Sequence, residues 1–208
     1  GVLIATHRKD LILQVSDCVL TVANPVPSFV TCDGFNVQFS HTSSGATTVF
    51  WDFGDPMTLG DTAIIDNPSY TYTDTGLYTI KFIINRGTSC VDSVTRTVGV
   101  YPGFFPGFIF TGSCYQNPFQ FTDTTNTRYG FVNSWRWDFG DLSTIADTSR
   151  IRNPQWTYPS AGLKDVRLIV TNSKGCVDTA IVPVDVLDRP ALSVAFADTL
   201  ICRNDVLQ

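Results

Sequence analysis

The sequence predicts an all-β chain built of sandwiches in tandem, and three observations carry that prediction. First, the string Trp-Asp-Phe-Gly-Asp stands at 51–55 and returns at 137–141, 86 positions further on. A repeat fixes the architecture before any local assignment is made. Second, short stretches alternate apolar and polar residues with β-branched and aromatic side chains, the mark of half-buried strands. Third, no segment sustains an apolar period of 3.6 residues, so no helix is expected, and many short strands without helices make a sandwich.

The repeat is long. Residues 51–93 align with 137–179 without a gap and share 19 identities in 43 positions, among them Asp61/Asp147, Asn67/Asn153, Tyr72/Tyr158, Gly76/Gly162 and Cys90/Cys176. Upstream the offset is 82, Cys32 matches Cys114, and the second copy carries four extra residues within 126–134. A third copy opens at Pro190, with Cys202 opposite Cys114, and 11–15 followed by Cys18 resembles the approach to Cys90 and Cys176. The expected organisation is the tail of one repeat (1–24), two complete repeats (25–101 and 102–187) and the head of another (188–208). Both ends read as cut, and a longer native protein is expected.

Within the first copy, 35–39, 49–53 and 78–84 alternate as strands, and Gly45, Gly54, Asn67-Pro68, Gly76 and Gly87 punctuate them as turns. Charged residues make up only 16% against 43% hydrophobic, which suits an ordered β protein and opposes disorder. A net charge of −5 leaves no basic stripe for nucleic acid. No run approaches the ~20 apolar residues of a membrane-spanning helix, so no membrane insertion is expected in this segment. Six cysteines, most at repeat-locked positions, point to disulfides and an oxidising, extracellular or cell-surface setting.

The order Trp-Asp-Phe-Gly-Asp, then Asn-Pro-x-x-x-Tyr, then Gly-Leu-x-x-Ile/Val-x-Phe/Leu resembles the PKD (polycystic kidney disease) domain, an immunoglobulin-like β-sandwich. The match covers both complete copies. The flanking cysteines, with Cys-Val-Asp after the last long strand, resemble PKD repeats of giant surface adhesins and fibres of Bacteroidota. The resemblance implies tandem immunoglobulin-like sandwiches set end to end.

Each conspicuous residue has a structural and a functional reading. Trp51 and Trp137 could stack on a ligand, but their place in alternating strands favours the core. Asp52, Asp55, Asp138 and Asp141 look like paired carboxylates. However, the turns that Gly54 and Gly140 permit would use them as acceptors for backbone N–H groups, and turn chemistry recurs in every copy as a catalytic site rarely does. A calcium site drawing on Asp52, Asp55, Asp61 or Asp66 is the weaker alternative, because the spacing lacks a dedicated calcium loop's ligand density. No other cofactor is expected. Tyr72 and Tyr158, with Gly76 and Gly162 after them, are similar to a tyrosine corner. The aromatic run at 101–110 is read as buried between consecutive domains in preference to an adhesive surface. No nucleophile motif, metal-site motif or phosphate loop is present, and the chain is not expected to be an enzyme. Asp-Thr/Ser triplets at Thr62, Ser93, Thr124, Thr179 and Thr199 resemble the O-glycosylation acceptor of exported Bacteroidota proteins.

The cysteines admit two patterns. Each repeat could close on itself, with Cys32–Cys90 and Cys114–Cys176. In an immunoglobulin-like sandwich, however, Cys32 lies between the first two strands and Cys90 between the last two, at opposite poles. A seven-residue strand separates the poles by over ~20 Å, against the ~4.4–6.8 Å between Cα atoms that a disulfide spans. The expected bond is therefore Cys32–Cys176, between repeats. Cys18, Cys90, Cys114 and Cys202 would then take partners in repeats outside this chain.

Function follows as an expectation. The chain is read as a structural and adhesive segment of a long extracellular fibre or stalk at a bacterial surface. Its partners are neighbouring repeats, like chains in a fibre, and surface glycans or proteins. The alternative is an accessory module of a secreted glycosidase or protease, for which an exposed aromatic row of Trp135, Trp156 and Tyr115 would speak.

Overall fold

The computed structural model describes Cys18 and residues 21–188, and every secondary-structure element among them is a strand or a turn. The third copy expected from Pro190, with Thr199 and Cys202, lies outside the described residues, as does most of the 1–24 tail. The first copy supplies β1 (Phe29–Thr31), β2 (Asn36–Gln38), β3 (Val49–Asp52), β4 (Thr62–Ala63), β5 (Ser69–Thr71), β6 (Gly76–Ile84) and β7 (Asp92–Val100). The second supplies β8 (Phe104–Phe105), β9 (Phe108–Thr111), β10 (Pro118–Asp123), β11 (Asn126–Thr127), β12 (Val132–Asp138), β13 (Thr148–Ser149), β14 (Gln155–Thr157), β15 (Gly162–Asn172) and β16 (Val177–Val186).

Sheet order repeats with the sequence. In the first copy β4-β3-β6-β7 form one ladder, extended by β1 as a parallel neighbour of β7, and β2 pairs with β5. In the second, β13-β12-β15-β16 form the matching ladder, faced by β14-β10-β9, with β11 pairing β8. Pro183 sits in β16 because β16 is an edge strand, where a missing N–H costs no ladder bond.

The chain forms two compact units. One is built on 38–70 and 78–97. The other takes 98–188 together with 29–37 and 71–77, so the polypeptide that carries Cys32 belongs to the second unit. The first unit's core is aromatic: Trp51 is fully buried and packs on Phe82 with ring centroids 4.2 Å apart, beside Phe39 and Phe53. The second unit buries Trp137, Phe119, Phe121, Phe139, Tyr158, Leu168 and Val170. The alternating strands do this directly, since every second residue of β6 from Tyr78 to Ile84 is buried. Each large apolar side chain so buried contributes on the order of 2–3 kcal/mol.

The run at 101–110 departs from expectation. Phe104 and Phe108 enter the core of the second unit itself, while Phe105 stays exposed. The cause is local: β8 and β9 are strands, so alternate aromatics point inward and only the intervening one faces solvent.

Candidate functional site

Two constellations stand out, a carboxylate-closed turn present in both copies and a disulfide that closes on the second unit. In the turn, Gly54 and Gly140 hold φ of 64° and 67°, a left-handed conformation that glycine adopts freely. A Cβ at Gly54 would stand 2.3 Å from the Thr79 carbonyl oxygen, and one at Gly140 2.7 Å from that of Asp165. Glycine is thus required twice over at both positions.

The carboxylates organise the backbone around that glycine. Asp52 Oδ1 accepts from the Gly54 N–H at 3.0 Å, and Asp138 Oδ1 from the Gly140 N–H at 3.1 Å. Asp55 and Asp141 are buried. Their Oδ1 atoms accept from the N–H groups of Met57 and Ser143, and their own N–H groups donate to Asp61 and Asp147 Oδ2 at 2.9 and 2.7 Å. The Phe53 and Phe139 N–H groups then donate to the Asp61 and Asp147 carbonyls, closing each loop at its base. Trp51 and Trp137 contribute their indole N–H to the Ile65 and Ile151 carbonyls at 3.1 and 3.0 Å. The calcium candidates Asp52, Asp55 and Asp61 are therefore acceptors for backbone amides. Among the described residues, no group of three or more His, Cys, Asp or Glu side chains is arranged to hold a metal ion.

The tyrosines differ in depth. Tyr72 and Tyr158 are both buried, and the Tyr158 hydroxyl donates to the Phe139 carbonyl at 2.9 Å. Burial, and then the carboxylates of Asp141 and Asp147, hold its phenol well above the ordinary tyrosine value. Tyr70, five strands into the first copy, donates to Asp55 Oδ2 at 3.1 Å; burial and that hydrogen bond push its pKa up to about 12. Gly162, at the start of β15, has φ 119°, and Gly76 stands at the equivalent place at the start of β6.

Cys32 bonds Cys176, with Cα atoms 5.9 Å apart and a separation of 144 positions in sequence. Both partners are positioned by backbone pairing. β1 lies parallel to the end of β7, and the Thr31 and Cys32 carbonyls accept from the Tyr101 and Gly103 N–H groups. On the other side, Asn172, itself buried, accepts the Lys174 and Cys176 N–H groups at 2.9 and 3.0 Å and donates to the Tyr129 carbonyl and Thr127 Oγ1. Gly175 has φ 90°, and a Cβ there would meet Val30 at 3.3 Å. Lys174 lies over the Tyr101 ring at 5.0 Å.

The remaining cysteines correct the expectation of outside partners. Cys18 bonds Cys90 with Cα atoms 5.1 Å apart, and Cys114 is also disulfide-bonded within the chain. Cys90 thus takes its partner from within this chain, 72 positions earlier in sequence. Neither self-closing bond, Cys32–Cys90 or Cys114–Cys176, forms.

The aromatic row imagined for an accessory module is absent. Trp135, Trp156 and Tyr115 pack against the second core. Trp135 donates to Asp123 Oδ2 at 2.9 Å beneath Arg152, which pairs with the same carboxylate at 3.3 Å. Two hubs escaped the sequence reading, Asn85 and Asn172. Asn85 accepts from the Thr47 N–H at 2.8 Å and donates to the Gly45 and Cys90 carbonyls, doing in the first copy what Asn172 does in the second. The signal was an Asn ahead of a glycine turn and a cysteine. The ungapped alignment hid it, because Asn85 and Asn172 sit one residue out of register.

Carboxylate-tied turns in sandwiches that hold no helix among the described residues, together with the disulfides, define an immunoglobulin-like module. The PKD-domain family model matches residues 23–100 and 111–186, and the chain belongs to that family. Domains of this family are typically extracellular, and the disulfides suit an oxidising compartment. No helix among the described residues is long and apolar enough to cross a membrane. Similar solved structures include the PKD1 domain of Vibrio anguillarum Epp (24% identity, TM-score 0.37, 41% of this chain and 95% of that one). Another is the PKD1 domain from the Vibrio cholerae metalloprotease PrtV (28%, 0.36, 40% and 96%). A third is the fibronectin(III)-like modules of Clostridium thermocellum CbhA (16%, 0.45, 80% and 91%).

Proposed function

We propose that this chain is a load-carrying segment of a long extracellular repeat protein, a surface fibre or stalk of the kind found in adhesins of Bacteroidota. The observation that supports it most is the Cys32–Cys176 bond, which ties chain from the first copy to the far turn of the second. A force applied along the polypeptide would pass through that bond and leave the enclosed strands unloaded. Repeats that lean mainly on their neighbours give reach and stiffness to the array. The partners on this reading are adjoining repeats, like chains, and surface glycans or proteins held by a distal element. The packing of Trp135, Trp156 and Tyr115 against the core favours the fibre over a substrate-presenting module.

The mechanical claim is testable by pulling the chain from its ends. With the bond intact the enclosed residues should not extend; reductant should release roughly 480–520 Å more, from a separation of 144 residues at ~3.3–3.6 Å each. No gain on reduction would refute the load path. The reading frame settles the setting: many further repeats would support the fibre, and an adjoining hydrolase domain would replace it with the accessory module. As part of the same reading, sugar is proposed on Thr62, Ser93, Thr124 or Thr179, all exposed. An intact mass from the native source equal to the bare polypeptide would dismiss it.

A further inference from the structure

The second compact unit holds a cavity that neither the turns nor the disulfides explain. It encloses about 440 Å³ and is lined by Phe35, Pro102, Gly103, Phe105, Asn126 and Arg128, all within that unit. The volume falls in the range of small-ligand sites. One wall is the β8–β11 pair, where Phe105 and Asn126 stand directly opposite each other and so share a face. Arg128, two residues beyond Asn126, is held there by its N–H bond to the Gly103 carbonyl at 2.9 Å. Gly103 has φ 97°, and a Cβ there would stand 3.1 Å from the Arg128 Cβ, so the glycine leaves the room that the arginine stem fills.

Three lining groups stand ready for a ligand. Phe105 is 66% exposed. Among the described residues, the Asn126 side-chain amide makes no hydrogen bond and the Arg128 guanidinium makes no ion pair. Arg128 lies over the Tyr129 ring at 5.5 Å, Tyr129 stands 6.2 Å from Tyr101, and Lys174 lies over Tyr101 at 5.0 Å. The result is a strip of two rings with an exposed cation at each end. In a chain of net charge −5 this patch is locally basic, because from Tyr101 to Trp137 the one carboxylate is Asp123. Trp135 and Arg152 already engage it. Asp33, two positions before Phe35, pairs with neither cation.

We propose that this cavity binds an acidic sugar, with its carboxylate on Arg128, the apolar face of its ring on Phe105 and its hydroxyls on Asn126. Lys174 takes the charge of a neighbouring sugar when the ligand is an oligomer. The sign of the ligand follows from the unpaired guanidinium, whose planar fork fits a planar carboxylate. Its ring follows from Phe105 and Asn126 side by side. A sugar presents a C–H face beside hydroxyl edges, and an amide both donates and accepts. An acidic peptide fits less well, because the cavity offers its backbone little: the Gly103 N–H already donates to the Cys32 carbonyl, and its carbonyl already accepts from Arg128. Single-stranded nucleic acid needs open aromatic faces for its bases, and Tyr129 and Tyr101 each carry a cation over the ring. The site belongs to the repeat itself and rests on neither the fibre nor the accessory-module setting.

The test titrates the 208-residue chain with a galacturonate oligomer, galacturonic acid, a neutral glucose oligomer, polyglutamate and a single-stranded oligonucleotide, followed by calorimetry and amide NMR. We expect the galacturonate oligomer to bind with a Kd of about 0.1–1 mM, weakened by salt, and to shift the signals of Gly103, Phe105 and Asn126. Arg128→Gln should weaken binding at least about tenfold and Phe105→Ser about fivefold. Lys174→Gln should weaken the oligomer and leave galacturonic acid unchanged. The Arg128 and Phe105 side chains are exposed, so both variants should keep the parent's thermal midpoint; should Phe105→Ser lower it, Arg128→Gln and the parent's shifts decide. No shift at about 10 mM galacturonate oligomer overturns the proposal. So does an equal response to the glucose oligomer or to polyglutamate, tighter binding of the oligonucleotide, or binding that Arg128→Gln leaves intact. None of these results depends on which domains adjoin the repeats, so failure here is distinguishable from failure of the fibre reading.

Discussion

The two copies of the turn share the hydrogen bonds that fold the backbone around the glycine and differ in the side chain that faces the closing carboxylate. In the first, Tyr70 stacks on Phe53 with centroids 4.5 Å apart and caps Asp55 Oδ2 with its hydroxyl at 3.1 Å. In the second, Trp156 takes the equivalent place and stacks on Phe139 at 5.1 Å. Asp141 Oδ2 and Trp156 Nε1 are then both buried without a hydrogen-bond partner. The indole gains apolar contact and gives up the reach of a phenol. A shared motif therefore does not guarantee a shared energy: the backbone cage is common, and the last carboxylate oxygen is satisfied in one copy alone.

The largest effects should come from what the copies share. Trp51→Ala and Trp137→Ala should each cost roughly 3–5 kcal/mol in chemical denaturation, by equal amounts if the cores are equivalent. A disparity above about 2 kcal/mol would break the comparison at its base. Gly54→Ala and Gly140→Ala should follow, at about 2 kcal/mol or more, because each meets a backbone oxygen in a left-handed conformation.

The side-chain difference gives the sharper pair. Tyr70→Phe removes the hydroxyl that donates to a buried carboxylate and should cost about 1–3 kcal/mol. Trp156→Tyr should stabilise the second copy by about 0.5–1.5 kcal/mol, by giving Asp141 the donor that Asp55 already has. A lower denaturation midpoint for that variant would show that indole packing outweighs the missing bond.

The smallest effect appears with pH. Tyr70 holds its proton to about 12 in the folded chain, against an ordinary tyrosine value near 10 in the unfolded one. Above pH ~10 the unfolded state carries fewer protons, so the contribution is complete below that value and is lost as pH rises towards 12. Denaturation midpoints should fall between pH 10 and 12 in the parent and less steeply in Tyr70→Phe. Tyr158 adds a loss of the same sign.

Much of this was legible. The alternation at 49–53 and 78–84 gave the strands, and the duplicated Trp-Asp-Phe-Gly-Asp gave their pairing across copies. Opposed poles gave Cys32 its distant partner. What escaped was set by tertiary proximity: nothing local tells that Asp123 meets Trp135 and Arg152, or that Asn172 gathers Tyr129, Thr127 and Cys176. Cys18–Cys90 escaped because an expectation built on repeat order gave Cys18 no role in a neighbouring copy.

The Cys18–Cys90 and Cys32–Cys176 disulfides overlap, for the first encloses Cys32 while the second encloses Cys90. A protease that cuts once between 18 and 32 leaves the pieces joined by the first bond. A single cut anywhere from there to 176 leaves them joined by the second. Exposed loop tips are where such nicks fall, and here a nicked molecule remains one covalent object.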